Sequence, residues 1–394
     1  MNFPIYLDNH ATTPLDPEVF EAMKPYFLEK YGNASSKNHS FGWEAESAVE
    51  HARKIIANFI NAGEKDIYFT SGATESINLA HFGIAEAYSQ KGKHIVSTAV
   101  EHSAANDSLH KLEEKGLEVT YLPVDQDGIL DLNLLKDSIK SSTILVSIMS
   151  ANNEIGTINN ITEIGSVCRE HGVIFHTDAT QALGKIPIDV HKSFVDIASF
   201  SSHKIYGPKG VGCIYIRSRN PKIKIIPQIY GGGQENNTRS GTLNVTGIVG
   251  FGKAVEICLR SMEEESERIK FLRDKLYNFL ITNLDGIHVN GTMKYRLPNN
   301  LNVCFDNVRS EAFLSNLREI AVSTGSACSS ASLKPSRILK AIGLSNEMAY
   351  SSIRFGLGRF NSEEEIDYTS KRIIEVVNYL RKISPFTSLE TKRV

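Results

Sequence analysis

Ser199-Phe200-Ser201-Ser202-His203-Lys204-Ile205-Tyr206-Gly207-Pro208-Lys209-Gly210 follows an apolar run, Val195-Asp196-Ile197-Ala198, that reads as a buried strand. Where that strand ends, the chain sets two hydroxyls, an imidazole and a lysine on a turn. A lysine amine there can bond an aldehyde, and its Ser and His neighbours can hold a phosphate. Taken alone, a lysine after a strand is more often a surface residue. What the other strand exits carry decides between the two readings.

From about residue 45 to 260, short apolar runs alternate with amphipathic stretches. Strands are expected at 67–69, 94–98, 118–122, 143–149, 173–177, 195–200 and 211–216. Helices are expected between them, as at 75–88, 104–115, 132–138 and 161–171. Such alternation implies an α/β fold, a mostly parallel seven-stranded sheet with helices on both faces. From about residue 259 a highly charged helix around Ser261-Met262-Glu263-Glu264-Glu265 opens a smaller α+β domain with fewer strands, such as 302–305.

A chain of 394 residues exceeds one usual core. Its formal net charge of −2, with 22% charged residues, offers neither a basic footprint for nucleic acid nor a polybasic membrane patch. No apolar run approaches the ~20 residues of a membrane span. The N-terminus lacks the cationic-then-apolar pattern of a secretory leader. Five cysteines without CxxC spacing argue against a disulfide framework or zinc site. A cytoplasmic protein is expected.

Ligands of open parallel sheets sit at the carboxyl ends of the strands. After Phe69 comes Thr70-Ser71-Gly72-Ala73-Thr74-Glu75-Ser76, a glycine turn opening a helix. Its N–H groups and the Thr74 hydroxyl suit an anion, although the pattern also serves as a helix cap. After the run at 173–176 comes Asp178, a cap or the partner of a protonated ring nitrogen. At ~4 Å and an effective dielectric of ~20 such a pairing is worth roughly 4 kcal/mol, about three pKa units. After the run at 94–98 comes His102, a proton carrier able to stack on a ring, or a structural histidine. Thr74, His102, Asp178 and Lys204, in that order on four strand exits, form a constellation suited to pyridoxal phosphate.

These segments resemble the cysteine desulfurases of the IscS/NifS type, class V members of the fold-type I pyridoxal-phosphate enzymes. The likeness covers nearly the whole chain. It includes Tyr6-Leu7-Asp8-Asn9-His10-Ala11-Thr12-Thr13-Pro14, Asn152-Asn153-Glu154-Ile155-Gly156, Arg239-Ser240-Gly241-Thr242, Gly325-Ser326-Ala327-Cys328 and Ser351-Ser352-Ile353-Arg354-Phe355. The resemblance implies Lys204 as the Schiff-base lysine and Asp178 facing the pyridine nitrogen. Gln181 and Asn153 contact the ring oxygen, and Ala73, Thr74, Ser201, Ser202 and His203 cradle the phosphate. Thr242 reaches the phosphate of a second subunit, so a homodimer is implied. Arg354 grips the carboxylate of L-cysteine, with Asn153 beside it; a guanidinium does this bidentately where a lysine cannot. Arg359 has the plainer reading of a structural ion pair. The division expected is 15–258 for the large domain, and 1–14 with 259–394 for the small one, carrying a cysteine loop at about 323–334.

Cys168 and Cys258 lie in helix-like segments, and Cys213 and Cys304 in apolar strands, so all four read as buried and inert. Cys328 sits among small residues, in a segment expected to be mobile, as a sulfur carrier must be. By resemblance the enzyme converts L-cysteine to L-alanine, with Lys204 and His102 moving protons and Cys328 taking the sulfur as a persulfide. That sulfur supplies an iron–sulfur scaffold or tRNA thiolation. No resident metal is expected; Cys328 is at most a transient ligand of a cluster on a scaffold. Two departures stand out. Asn236-Asn237 replaces the family's frequent Arg-Gly, and the polar tail 384–394 lacks the longer extension through which the housekeeping type engages its scaffold. The competing readings are another class V enzyme, such as an aminotransferase, which needs no Cys328, and a non-catalytic assembly platform, which needs no Lys204.

Overall fold

The computed structural model describes residues 3–325 and 335–383. In chain order its strands are β1 (Ile5–Tyr6), β2 (Ile67–Thr70), β3 (His94–Thr98), β4 (Glu118–Leu122), β5 (Thr143–Ser147) and β6 (Ile174–Asp178). They continue with β7 (Ile197–Ser201), β8 (Gly212–Ile216), β9 (Ile287–Val289), β10 (Asn300–Phe305), β11 (Ile320–Ala321) and β12 (Ser352–Gly356). A seven-stranded sheet runs β2-β8-β7-β6-β5-β3-β4. The pairs β3–β4, β3–β5, β5–β6 and β6–β7 are parallel, and β8 is antiparallel to both neighbours.

Side chains on a strand alternate between faces, and here both faces are apolar. Val96, Val146, Phe175, Ala198 and Tyr215 enter one core, with residues of the helices Ser40–Phe59, Ile161–Glu170 and Val245–Asn283. Their neighbours Ile95, Leu145, Ile174, Ile197 and Ile214 enter another, under the helices Ala73–Ala87 and Ser103–Glu114. Burial on both sides is why these strands read as continuous apolar runs rather than alternating ones.

A separate core is built on the antiparallel sheet β12-β10-β9 and the helix Glu363–Ile383. Ile5 and Leu7 belong to it, because β1 pairs in parallel with β11. The helix expected to open near Ser261 is the middle of one 39-residue helix, Val245–Asn283. No glycine or proline interrupts residues 254–283, so the intrahelical hydrogen bonds run on. Ile248, Phe251 and Val255 pack in the first core, and Ile269, Leu272 and Leu276 in the one around β10.

The loop 231–238, where the chain departs from the family pattern, is anchored by an inward charge. Glu235 is 7% exposed and takes two bonds from Arg53, at 2.8 and 3.0 Å, and one from the Phe69 N–H at 2.6 Å. Breaking a buried pair costs about 3–5 kcal/mol when the other charge is left unpaired; Arg53 keeps Glu50 at 3.2 Å, which places the loss at the low end of that range. Glu235→Ala is therefore expected to lower stability by about 3 kcal/mol, as read by chemical denaturation. A loss below about 1 kcal/mol would show that Arg53 finds other partners or water.

Candidate active site

A cavity of about 920 Å³ opens at the carboxyl ends of β2, β3, β6 and β7. At β2 the chain turns through Gly72, φ +153°, into the helix Ala73–Ala87, and Ala73 and Thr74 line the cavity at that helix N-terminus. Gly212 of the neighbouring β8 permits the turn. A Cβ there would lie 2.7 Å from the Gly72 Cα and 2.4 Å from the Phe200 carbonyl oxygen.

His102 caps the helix Ser103–Glu114, its Nδ1 accepting from the Ala104 N–H at 3.1 Å, and its ring lines the cavity. It is therefore both the structural cap and a candidate functional group. Burial holds it below the usual imidazole range; nearby Asp178 opposes the shift and Lys204 adds to it. Asp178 ends β6 on the cavity wall, and its Oδ1 accepts from the Thr180 N–H at 3.0 Å.

Ser201 ends β7, and a tight turn at Ser202–Lys204 carries His203 and Lys204 to the cavity. Lys204 Nζ donates to the carbonyls of His10 and Ala11, at 2.7 and 2.6 Å. His203 meets Thr12 Oγ1 at 3.0 Å, and burial beside Lys204 pushes it down to about 4. A neutral His203 keeps one N–H to donate to an anion and adds no positive charge beside Lys204.

Asn153 and Gln181 also line the cavity, as does Arg354, which is 2% exposed. Arg354 bonds Asp8 at 2.8 Å and the Asn153 carbonyl at 2.9 Å. Arg359 pairs with Asp16 and Glu265, both at 2.7 Å, and stacks over Tyr206.

Two expected site residues are not brought to this cavity wall. Ser202 is fully buried and turned away; its Oγ lies 2.0 Å from where a Cβ on Gly207 would stand. The turn after β7 aims successive side chains in different directions, so Ser201 and His203 line the cavity while Ser202 does not. Thr242 is exposed and outside the lining. Cys328 lies outside the described residues, with 326–334. Gly325 and Pro335, which border that span, both line the cavity.

Sequence reasoning missed three other residues. Glu101 lines the cavity and is 1% exposed, accepting from Thr98 Oγ1 at 2.7 Å and the Met149 N–H at 3.0 Å. Burial pushes it up to about 8; its place beside His102 was the available signal. Lys185, held down to about 7 by burial near Lys204, donates to Gln181 Oε1 at 3.1 Å. His10 contacts Gln181 from another side at 3.0 Å. Neither had a signal beyond membership of a quoted or neighbouring segment.

The donor set fits pyridoxal phosphate: a helix N-terminus with Thr74, Ser201 and His203 for a phosphate, Lys204 for an aldehyde, and Asp178 for a ring nitrogen. Asn153 Oδ1, Thr180 Oγ1 and Arg354 Nε are buried without hydrogen-bond partners among the described residues. Buried polar atoms normally have partners, and all three residues line the cavity, so a polar ligand there would satisfy them. Among the described residues no group of three or more His, Cys, Asp or Glu side chains could hold a metal ion. None of their helices is long and apolar enough to cross a membrane.

The aminotransferase class-V family matches residues 5–369. Cysteine desulfurase IscS of Anaeromyxobacter sp. strain Fw109-5 is 53% identical, covering 98% of this chain and 95% of that one. The Rickettsia typhi cysteine desulfurase IscS is 49% identical, covering 98% and 94%. The solved structure of a NifS-like protein superposes with a TM-score of 0.89 at 39% identity, covering 95% of this chain and 99% of that one. SspA, solved in complex with cysteine, superposes with a TM-score of 0.81 at 35% identity, covering 91% and 100%. The strand-exit constellation and these likenesses lead to one assignment: the chain belongs to the class-V aminotransferase family, as a pyridoxal phosphate-dependent cysteine desulfurase of the IscS/NifS type.

Proposed function

We propose that this enzyme takes L-cysteine to L-alanine and hands the sulfur to Cys328 as a persulfide. A homodimer would do this in the cytoplasm, for an iron–sulfur scaffold or another sulfur-acceptor protein such as one serving tRNA thiolation. The observation that carries the reading is the meeting of Lys204, Asp178 and His102 on one cavity that Gly325 and Pro335 also border. The cysteine bound by SspA, a relative of the same fold, supports the substrate.

Bound pyridoxal phosphate supplies a sink for the electron pair left when the Cα–H bond of L-cysteine breaks. The remaining work belongs to the chain. Lys204 holds the cofactor and, once released, takes and returns the Cα proton; the His10 and Ala11 carbonyls already orient its amine. Asp178 keeps a ring nitrogen protonated, and Asn153 and Gln181 face the ring oxygen. Ala73, Thr74, Ser201 and His203 hold the phosphate, with Thr242 serving the other subunit. Arg354 takes the substrate carboxylate, for which its unpartnered Nε is a further donor. His102, neutral when buried, carries protons. The tail 384–394 lies outside the described residues. We further divide the chain at 15–258 against 1–14 with 259–394, supported by the separate core around β10.

The purified protein is expected to be yellow. Borohydride reduction followed by peptide mapping is expected to place the cofactor on Lys204. An adduct on Lys185 or Lys209 would overturn the assignment.

A further inference from the structure

His10, in the segment after β1, is 1% exposed and is not accounted for by the roles above. Its ring lies between two side-chain amides, Gln181 Oε1 at 3.0 Å from Nδ1 and Asn300 Nδ2 at 3.1 Å from Nε2. Amide and imidazole orientations follow from the chemistry of their partners, and here the chain of partners begins at a group with no choice.

The Arg296 guanidinium can only donate. It is held by the carbonyls of Thr292 and Asn290 and gives its third bond to Asn300 Oδ1 at 2.8 Å. Asn300 must therefore turn its oxygen to Arg296 and its N–H groups to His10 and to the Glu154 carbonyl, the latter at 3.1 Å. His10 Nε2 is then an acceptor, so Nδ1 carries the proton and donates it to Gln181 Oε1. Lys185 Nζ donates to the same oxygen at 3.1 Å. With its oxygen engaged twice, Gln181 gives one N–H to the His10 carbonyl at 3.1 Å. Its second N–H is left for the cavity that Gln181 lines. Burial, with Arg354, Lys185 and Lys204 nearby, holds the imidazole well below its usual range, and the neutral ring is the form this chain requires.

We propose that His10 is a positioning residue: relaying the orientation of Asn300, it fixes the Gln181 amide so that an N–H, not a carbonyl, faces the cofactor pocket. The ligand group this selects is an oxygen that accepts, which in pyridoxal phosphate is the ring oxygen. The inference rests on the proposed reading of the cavity. The relay also joins β10 to the wall beside β6, so it links the two cores through the site.

The test compares His10→Phe, which fills the space without hydrogen bonds, with His10→Gln, which can still accept and donate. Both are purified as holoenzymes. The readouts are the dissociation constant of pyridoxal phosphate and the absorption maximum of the bound cofactor. His10→Phe is expected to weaken retention about tenfold, the cost of roughly one unmade bond to a buried group, and to move the maximum. Adding Lys185→Met should deepen both effects. His10→Gln should stay within about twofold of wild type, since its amide restores both bonds. If His10→Phe fails to fold, Asn300→Asp replaces it. An acceptor facing Nε2 reverses the imidazole, and the maximum should again move. An unmoved maximum and affinity in His10→Phe, an unmoved maximum in Asn300→Asp, or equal damage in His10→Gln and His10→Phe would overturn the inference. Wild-type protein that takes up no pyridoxal phosphate would instead overturn the reading of the cavity itself.

Discussion

Cys328→Ser is expected to lose alanine formation by roughly a thousandfold or more, the scale of removing a nucleophile, while still binding pyridoxal phosphate and L-cysteine. The expectation comes from sorting the thiols. Cys168, Cys213, Cys258 and Cys304 are free but buried at 0–2% exposure, so none can receive sulfur and pass it outward. Burial pushes Cys258 up to about 11 and Cys304 to about 12, and raises Cys168 and Cys213 as well. A thiolate is needed to attack the substrate sulfur. The cofactor spectrum should still respond to L-cysteine, because the groups on the cavity wall are untouched. Radioactive sulfur from cysteine should appear as reducible label on the wild-type peptide that contains Cys328. Near-normal alanine production by the serine variant, or label on any of the other four cysteines, would sink this assignment.

Asp178→Asn is expected to leave a folded protein that retains the cofactor and turns over about a thousandfold more slowly. An amide oxygen can still accept from the Thr180 N–H, as Asp178 Oδ1 does at 3.0 Å, so the turn after β6 should persist. What disappears is the negative charge, about three pKa units of support for a protonated ring nitrogen. A displaced absorption maximum should accompany the slower rate. Wild-type turnover in this variant would show that another group governs the ring.

The parallel core was legible because its strands are buried on both faces and therefore written as apolar runs, such as Ile144-Leu145-Val146. Lys204, Asp178, His102 and Thr74 were legible for a related reason. A polar residue just beyond such a run stands at a strand exit, where open sheets bind ligands. Ser202 was misread because spacing alone does not say which way a side chain points within a turn. The long helix was misplaced because a run of charge resembles a boundary, whereas one helix can serve two cores with different stretches of its length.

Local sequence determined the order of the sheet's elements and the covalent chemistry available at each strand exit. These are properties of periodicity and residue type, which act over a few positions. Tertiary structure alone decided that Glu235 is buried against Arg53, and that His10, Gln181, Lys185 and Asn300 share one hydrogen-bonded cluster. His10 and Asn300 lie 290 residues apart. A proton position set by partners that distant is a consequence of packing, and no short-range pattern encodes it.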